Sequence, residues 1–192
     1  MLEVALQLVA EKGVAGLTLR EAARRVGVSR AAPYRHFADK NALLAAVAEE
    51  GFRAMHTAIR EALAMAPQGV EHRLVAIGVG YVQFAVAHPA HFRIMFAQEL
   101  AKAPASPTAV RTAMAVFGEL AGEIRQGQKS GALRDAPPLG LALACWSIAH
   151  GLAGILIEGL LSRRELASAA TQTPEALTRV VTGLLIEGLA KR

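Results

Sequence analysis

The chain of 192 residues is short of aromatic side chains, which make up 5% of it, and it contains a single cysteine. That lone Cys145 excludes an internal disulfide framework and any multi-cysteine zinc site. With so few aromatics, the 53% hydrophobic share must be aliphatic, and forty alanines and twenty-four leucines supply most of it. Such a mixture favours helix and suits an all-β fold poorly, because strands want β-branched and aromatic residues. Extensive disorder is excluded as well, since disordered chains lack aliphatics and carry high net charge. A strong charge of one sign is missing: 21 Lys/Arg against 16 Asp/Glu leave +5. The N-terminus has no basic stretch followed by an apolar core and a cleavage site, so a cytoplasmic protein without a signal peptide is expected. No strand pattern, internal repeat or Gly-rich phosphate loop is visible, and no Ser/His/Asp or Cys/His pairing stands out. An enzyme reading has nothing positive to rest on, and no cofactor is implied.

What is present is a series of helical segments. Residues 1–12 repeat apolar positions at helical spacing and stop at Gly13. Thr18-Leu-Arg-Glu21 reads as a capping box opening a short helix that Gly27 stops. Ser29 reads as a second N-cap, for a helix of about two turns to His36, with Pro33 near its start. Asp39 caps a long helix from about Lys40 to Met65. Further helices are expected over about 70–87, 90–100, 108–130, 139–161 and 174–190, with Thr173 capping the last and Pro174 at its first position. Loops fall at 103–107 and 131–138, and 162–173 has no clear pattern.

The pair of short helices around Gly27-Val28 is a helix-turn-helix arrangement, whose second helix enters the major groove. Between Thr18 and Leu44 stand six basic residues and two acidic ones, a modest basic patch that suits a polyanion. Arg30 has the reach for two acceptors on a guanine edge, and the small Ala31 and Ala32 allow close approach to bases. Ser29, Tyr34, His36 and Lys40 suit phosphate oxygens, which position the protein without reading sequence. Arg20 and Arg35 complete the basic set.

Residues 1–47 resemble the DNA-binding domain of the TetR family of bacterial transcriptional repressors. The carrying residues are Ala10-Glu-Lys-Gly13, Thr18-Leu-Arg-Glu-Ala-Ala23, Val26-Gly-Val-Ser29 and, most specific, Tyr34-Arg-His-Phe-Ala-Asp-Lys-Asn-Ala-Leu-Leu44. The resemblance implies that Thr18, Tyr34, His36 and Lys40 meet the DNA backbone and that Ser29 to Ala32 face base edges. Trp146-Ser-Ile-Ala-His150-Gly151 is similar to the Trp-His-Gly class of C-terminal domains in the same family. Members usually carry several residues, often basic, before the first helix. This sequence starts inside that helix, at Met1-Leu-Glu3, so either contacts from such an arm are absent or the start lies upstream.

The expected architecture is all-α. A three-helix DNA-binding domain spans 1–47, its motif at about 18–37, and a helical regulatory and dimerisation domain spans 48–192. From Ala136 to Ile157 there is no charged residue. A membrane span competes for that stretch by length, but flanking basic residues are few and Trp146, Ser147 and His150 lie at its centre. A helix buried on both faces is the better reading, with no membrane partner. Trp146 and His150, four apart, share a helix face. They either line an effector pocket, with Tyr81, Phe84, Phe96 and Phe117, or His150 is a core histidine beside a space-filling tryptophan. His88 and His91 lack a clear third ligand and have Pro89 between them, so no metal site is expected. Leu141, Ile148, Leu152 and Ile155 on one helix, with Leu177, Val181, Leu184 and Leu185 on the last, exceed what one layer must bury. By resemblance these two helices form a four-helix bundle with their twins in a homodimer.

The reading that follows is a dimeric regulator, a repressor of palindromic double-stranded operator DNA released by a small, neutral, largely apolar effector. A DNA-binding dimer without a ligand is the alternative, and a helical membrane-associated protein a more distant one.

Overall fold

The structure, a computed structural model, describes residues 1–102, 107–162 and 173–190. Among these the regular elements are all helical, with one isolated antiparallel bridge joining Leu133 to Ala190. In chain order they are α1 (Leu2–Lys12), α2 (Leu19–Val26), a 3₁₀ segment (Ala32–Arg35), α3 (Lys40–Met65), α4 (Val70–Ala87), α5 (Pro89–Met95), α6 (Gln98–Lys102), α7 (Pro107–Lys129), α8 (Pro138–Ile157), a 3₁₀ turn (Leu160–Ser162) and α9 (Pro174–Leu189).

The chain divides into two compact units. The first takes Met1–Ala54 and His88–Ala113, and the second takes Met55–Ala87 and Met114–Arg192. Helix α3 therefore contributes its first half to one and its second half to the other. In the first unit α1 packs on α2 and α5 around Ala5, Leu8, Leu17, Leu43, Leu44, Val47 and Ile94, all fully buried. Each such leucine contributes about 1.5–3 kcal/mol relative to an exposed one. In the second unit α4 is the central helix. Residues Ala76 to Val82 are buried without interruption, and α8 and α9 pack against it and against each other.

Two close approaches set that packing. A Cβ on Gly80 would stand 2.8 Å from the Ile59 Cα and 2.9 Å from the Ala58 carbonyl oxygen, so α4 and α3 touch backbone to backbone there. At Gly78 a Cβ would come within 2.8 Å of the Thr182 Cγ2 of α9. Thr182 and Thr178 are buried hydroxyls, satisfied by donating to the Thr178 and Pro174 carbonyls one turn earlier, at 2.6 and 2.7 Å.

Three expected elements differ. The helix from Ser29 to His36 is a short 3₁₀ segment, not two α turns. Pro33 has no N–H to give the Ser29 carbonyl, so the Ala32 amide bonds that oxygen instead at 3.0 Å, an i to i+3 pattern. The expected helix 90–100 breaks at Phe96-Ala97, where Phe96 turns its ring against Phe92 and Phe52, at centroid distances of 5.0 and 5.7 Å. Helix α8 ends at Ile157, four residues early, because Gly159 adopts a left-handed φ of 64°. The expected loop at 103–107 and the unclear stretch at 162–173 fall largely outside the described residues.

Candidate functional site

The candidate reading surface grows out of the caps. Thr18 accepts the Glu21 amide at 3.1 Å and starts α2. Glu21 does not reach back to close the box. Its carboxylate accepts from Arg24 at 2.8 and 2.9 Å and from Lys12 at 3.4 Å. The bonds from Arg24 and Lys12 hold its carboxyl down at about 2. Gly27, with φ 78°, ends α2, its amide on the Arg24 carbonyl and the Val28 amide on that of Ala23. The 3₁₀ segment then buries Pro33 and turns Tyr34, Arg35 and His36 outward, with Tyr34 53% exposed. Asp39 caps α3 by accepting the Ala42 amide at 2.8 Å.

Thr18, Arg20, Ser29, Arg30, Ala31, Tyr34, Arg35 and His36 are all exposed, and Ala32 and Lys40 are half-buried. The charges are not equivalent. Arg25 holds Glu11 with both terminal guanidinium nitrogens, one at 2.7 Å, and Arg24 holds Glu21. Arg20, Arg30 and Arg35 make no ion pair among the described residues. Lys40 donates to the Val14 carbonyl at 2.8 Å, so its ammonium also pins the turn after α1 to the start of α3. Sequence reasoning missed that bond, because nothing in a pattern links a lysine to a backbone oxygen 26 residues away.

In the second unit the structure brings Tyr81, Phe117, Trp146 and His150 together. Tyr81 is 4% exposed. Trp146 donates its Nε1–H to the Tyr81 hydroxyl oxygen at 3.2 Å, and that hydroxyl lies 2.8 Å from His150 Nδ1. Burial disfavours the imidazolium of His150 and lowers its pKa, so the ring is neutral and its Nδ1 shares a hydrogen bond with the Tyr81 hydroxyl. The Tyr81 hydroxyl thus joins Trp146 to His150. Burial also pushes the Tyr81 phenol up, so it remains a donor. Phe117 stands edge-on to Trp146 with ring centroids 6.5 Å apart. Phe84 is buried on the same α4. Phe96 belongs to the other unit, in the ring group described above. The neighbouring Cys145 thiol is pushed up to about 11 by burial, so it stays protonated.

The same unit holds paired charges that the sequence reading overlooked. Glu119 of α7 accepts from Arg60 Nη1 at 3.1 Å and meets His56 Nε2 at 3.0 Å, both on α3, while Glu123 accepts from Arg73 of α4 at 2.8 and 2.6 Å. The signal was there: two acids four apart, and His56 and Arg60 at the same spacing.

Of the residues expected at a dimer interface, Leu141, Leu152 and Leu177 are buried inside the chain, Ile148, Val181 and Leu185 are half-buried, and Ile155 and Leu184 are exposed. Leu139 and Leu184, at 63% and 66%, are among the most exposed large apolar side chains, and Leu143 and Val180 join them. Gly140, Gly151 and Gly154 of α8 and Gly183 and Gly188 of α9 face open space within the chain. By length and composition α8 could cross a bilayer, yet Ala142 and Ala153 are fully buried in the second unit. No group of three metal-ligating side chains occurs among the described residues.

Comparison with known proteins matches two segments of the chain. Residues 1–47 match the family described as bacterial regulatory proteins, tetR family, and residues 74–181 match the tetracyclin repressor-like C-terminal domain. The chain is 47% identical over 57 residues to the class A tetracycline repressor protein from transposon 1721 of Escherichia coli, covering 30% of this chain and 26% of the repressor. The chain thus spans about a quarter of the length of the curated relatives it matches. Among solved structures it resembles a Rhodococcus sp. RHA1 protein of unknown function, with a TM-score of 0.80, 29% identity and coverage of 99% of this chain and 93% of that one. It also shares its fold with the TetR family transcriptional regulator PfmR of Thermus thermophilus, with a TM-score of 0.71, 19% identity and coverage of 100% and 98%. FadR of Bacillus subtilis, solved in complex with stearoyl-CoA, gives a TM-score of 0.75 at 14% identity over 98% of this chain and 97% of that one.

Proposed function

The chain belongs to the tetR family of bacterial regulatory proteins, and from that premise we propose that it is a cytoplasmic homodimeric repressor released from a palindromic operator by a small effector. Residues 1–47 are the reading head. The observation that carries the reading is the outward segment from Ser29 to His36, with Arg20, Arg30 and Arg35 exposed and in no ion pair among the described residues while Arg24 and Arg25 are held by the unit's own glutamates. Arg30 reads base edges. Thr18, Tyr34, His36 and Lys40 meet phosphates, and Arg20 and Arg35 add charge. Ser29, Ala31 and Ala32 allow close approach.

One short reading segment covers too few base pairs for specificity, so a second copy is needed. The exposed aliphatic side chains of α8 and α9 form the dimer face, with Ile155 and Leu184 of the expected set at its surface. Helix-interior glycines support this. Each costs about 0.5–1 kcal/mol against alanine, and those facing open space have no packing reason within the chain. A second copy laid closely over them supplies one. Two heads about one helical turn apart, ~34–36 Å, then read a palindrome.

The effector site is the cluster of Tyr81, Phe84, Phe117, Trp146 and His150. Its polar groups are neutral and hydrogen-bonded in series, which suits a neutral, largely apolar molecule. Selection of bound duplexes from a random library at moderate salt tests the DNA half. Enrichment of a palindrome with half-sites a turn apart is expected, and binding without enrichment overturns it. Titration with neutral and anionic amphiphiles tests the effector half, and binding of anions alone overturns that part.

A further inference from the structure

We propose that Glu119 is the latch that ties the aromatic cluster to α3; this rests on reading that cluster as the effector site. Helix α7 carries Phe117, edge-on to Trp146, and two residues later Glu119. Residues two apart leave a helix on different sides, so one helix touches the cluster with one side chain and α3 with the other. Glu119 Oε1 serves both His56 and Arg60, at 3.0 and 3.1 Å. Its carboxylate is about one-fifth exposed, with a side-chain exposure of 21%. Burial pushes its pKa up, and the bonds from His56 and Arg60 together outweigh that and leave it lowered. The carboxylate is therefore charged and engaged.

The same stretch of α3 is held from a second side. Gly80 of α4 rests against the backbone of Ala58 and Ile59, and the next residue is Tyr81, the hub of the Trp146–Tyr81–His150 series. Movement at either aromatic reaches α3 between Met55 and Arg60. The two grips differ in kind. The Gly80 contact is steric and has no slack. The Glu119 pair is electrostatic and can be broken without moving a backbone. Glu123, bound to Arg73, keeps α7 on α4 when Glu119 lets go. Glu119 is thus a positioning residue whose loss uncouples the cluster from α3 and leaves the packing of the unit in place. Because α3 runs on without a break to Lys40, and because coupling between two sites is reciprocal, occupancy of the head must register at Trp146.

Trp146 is the chain's one tryptophan and reports on its own surroundings. The test uses the full chain and a duplex enriched from the random library. Anisotropy of the labelled duplex follows binding, and tryptophan emission follows the cluster. The duplex is expected to shift Trp146 emission in the unaltered protein. E119Q should bind within about threefold of it yet lose most of that emission shift, and the double charge swap R60E/E119R should restore roughly half of it. E123Q should keep the shift. If E119Q fails to fold, R60Q removes one partner and reports the same loss. Bound duplex with unmoved emission in the unaltered protein, or a full shift surviving in E119Q, overturns the proposal. A chain that enriches no duplex overturns the DNA-reading premise itself, and this proposal with it.

Discussion

The two compact units dispose of their polar groups in opposite ways. In the first, Glu11 and Glu21 pair with Arg25 and Arg24, while Arg20, Arg30 and Arg35 are exposed and make no ion pair among the described residues. In the second, Trp146, Tyr81 and His150 are uncharged and joined by hydrogen bonds through the buried Tyr81 hydroxyl. A surface meant for a polyanion keeps some cations in reserve and uses its carboxylates to fix the rest in place. The aromatic group satisfies its polar atoms by local hydrogen bonds, and the second unit's Glu119 and Glu123 pair with His56, Arg60 and Arg73.

The comparison breaks most sharply at Gly80. In Gly80→Ala the new Cβ meets backbone, which cannot step aside as a side chain end can. Overpacking of this kind costs about 1–3 kcal/mol, less the 0.5–1 kcal/mol that alanine returns in a helix. The urea midpoint should fall, with operator affinity retained wherever the protein is folded. Gly118→Ala, on a helix face with nothing within 4 Å, should instead gain about 0.5 kcal/mol. Equal effects from the two would show that the α3–α4 contact is looser than it looks.

Next is the reserve of charge in the first unit. Arg30→Ala should cost about 1–3 kcal/mol at the operator and relax preference at one base pair. Lys40→Ala should weaken all duplexes alike, flatten the salt slope by about one unit and loosen the turn held through the Val14 carbonyl. Binding across a duplex panel at several salt concentrations separates them. If Arg30→Ala weakens every sequence equally, Arg30 contacts phosphate and not bases.

The comparison also explains what was legible in the sequence. The caps at Thr18, Asp39 and Thr173 and the bounds of α3 and α4 could be read because each depends on residues within a turn of one another. The 3₁₀ segment could not, although Pro33 was in plain sight, since its consequence is the carbonyl of Ser29 finding another donor. Tyr81, Phe117, Trp146 and His150 were named from aromatic character and helical spacing, which could not foresee that Phe96 also packs against Phe52 and Phe92 of its own unit. The pairs Glu11–Arg25 and Glu119–His56, formed between helices 14 and 63 residues apart in sequence, need tertiary structure. Exposure along α8 and α9 needs it too, which is why the exposed Leu139 and Leu143 of α8 could not be told from the buried Leu141 by pattern alone.

A smaller effect divides between the units by histidine. His91 of the first unit and His150 of the second both have lowered pKa values, with burial the largest cause in each, and Glu50 partly offsets it for His91. Both rings are therefore held neutral in the fold, while the unfolded chain takes up protons near pH 6.5. Stability should be full above that pH and decline as pH falls toward 5. Below about 4.5 a separate loss sets in as Glu21, held at about 2, begins to be protonated only in the unfolded chain. Urea midpoints between pH 7.5 and 5 should slope downward toward acid. His91→Asn and His150→Asn should each remove part of that slope, and a slope unchanged in both variants would assign it to other groups.

The smallest expected effect compares two identical caps. Thr18 starts α2 and Thr173 starts α9, each accepting an amide three residues on at 3.1 Å. Thr→Ala at either site should cost about 1 kcal/mol of stability, because the hydrogen-bond geometry is the same. Only one of them lies on the proposed reading surface. A threonine hydroxyl that accepts an amide still has its own O–H to donate, and at Thr18 that proton is available for a phosphate oxygen. Thr18→Ala should therefore lower operator affinity and Thr173→Ala should not, with Thr18→Ser recovering both stability and affinity. If Thr173→Ala weakens operator binding as much as Thr18→Ala does, the loss at Thr18 is one of helix stability alone, and its direct contact with DNA must be withdrawn.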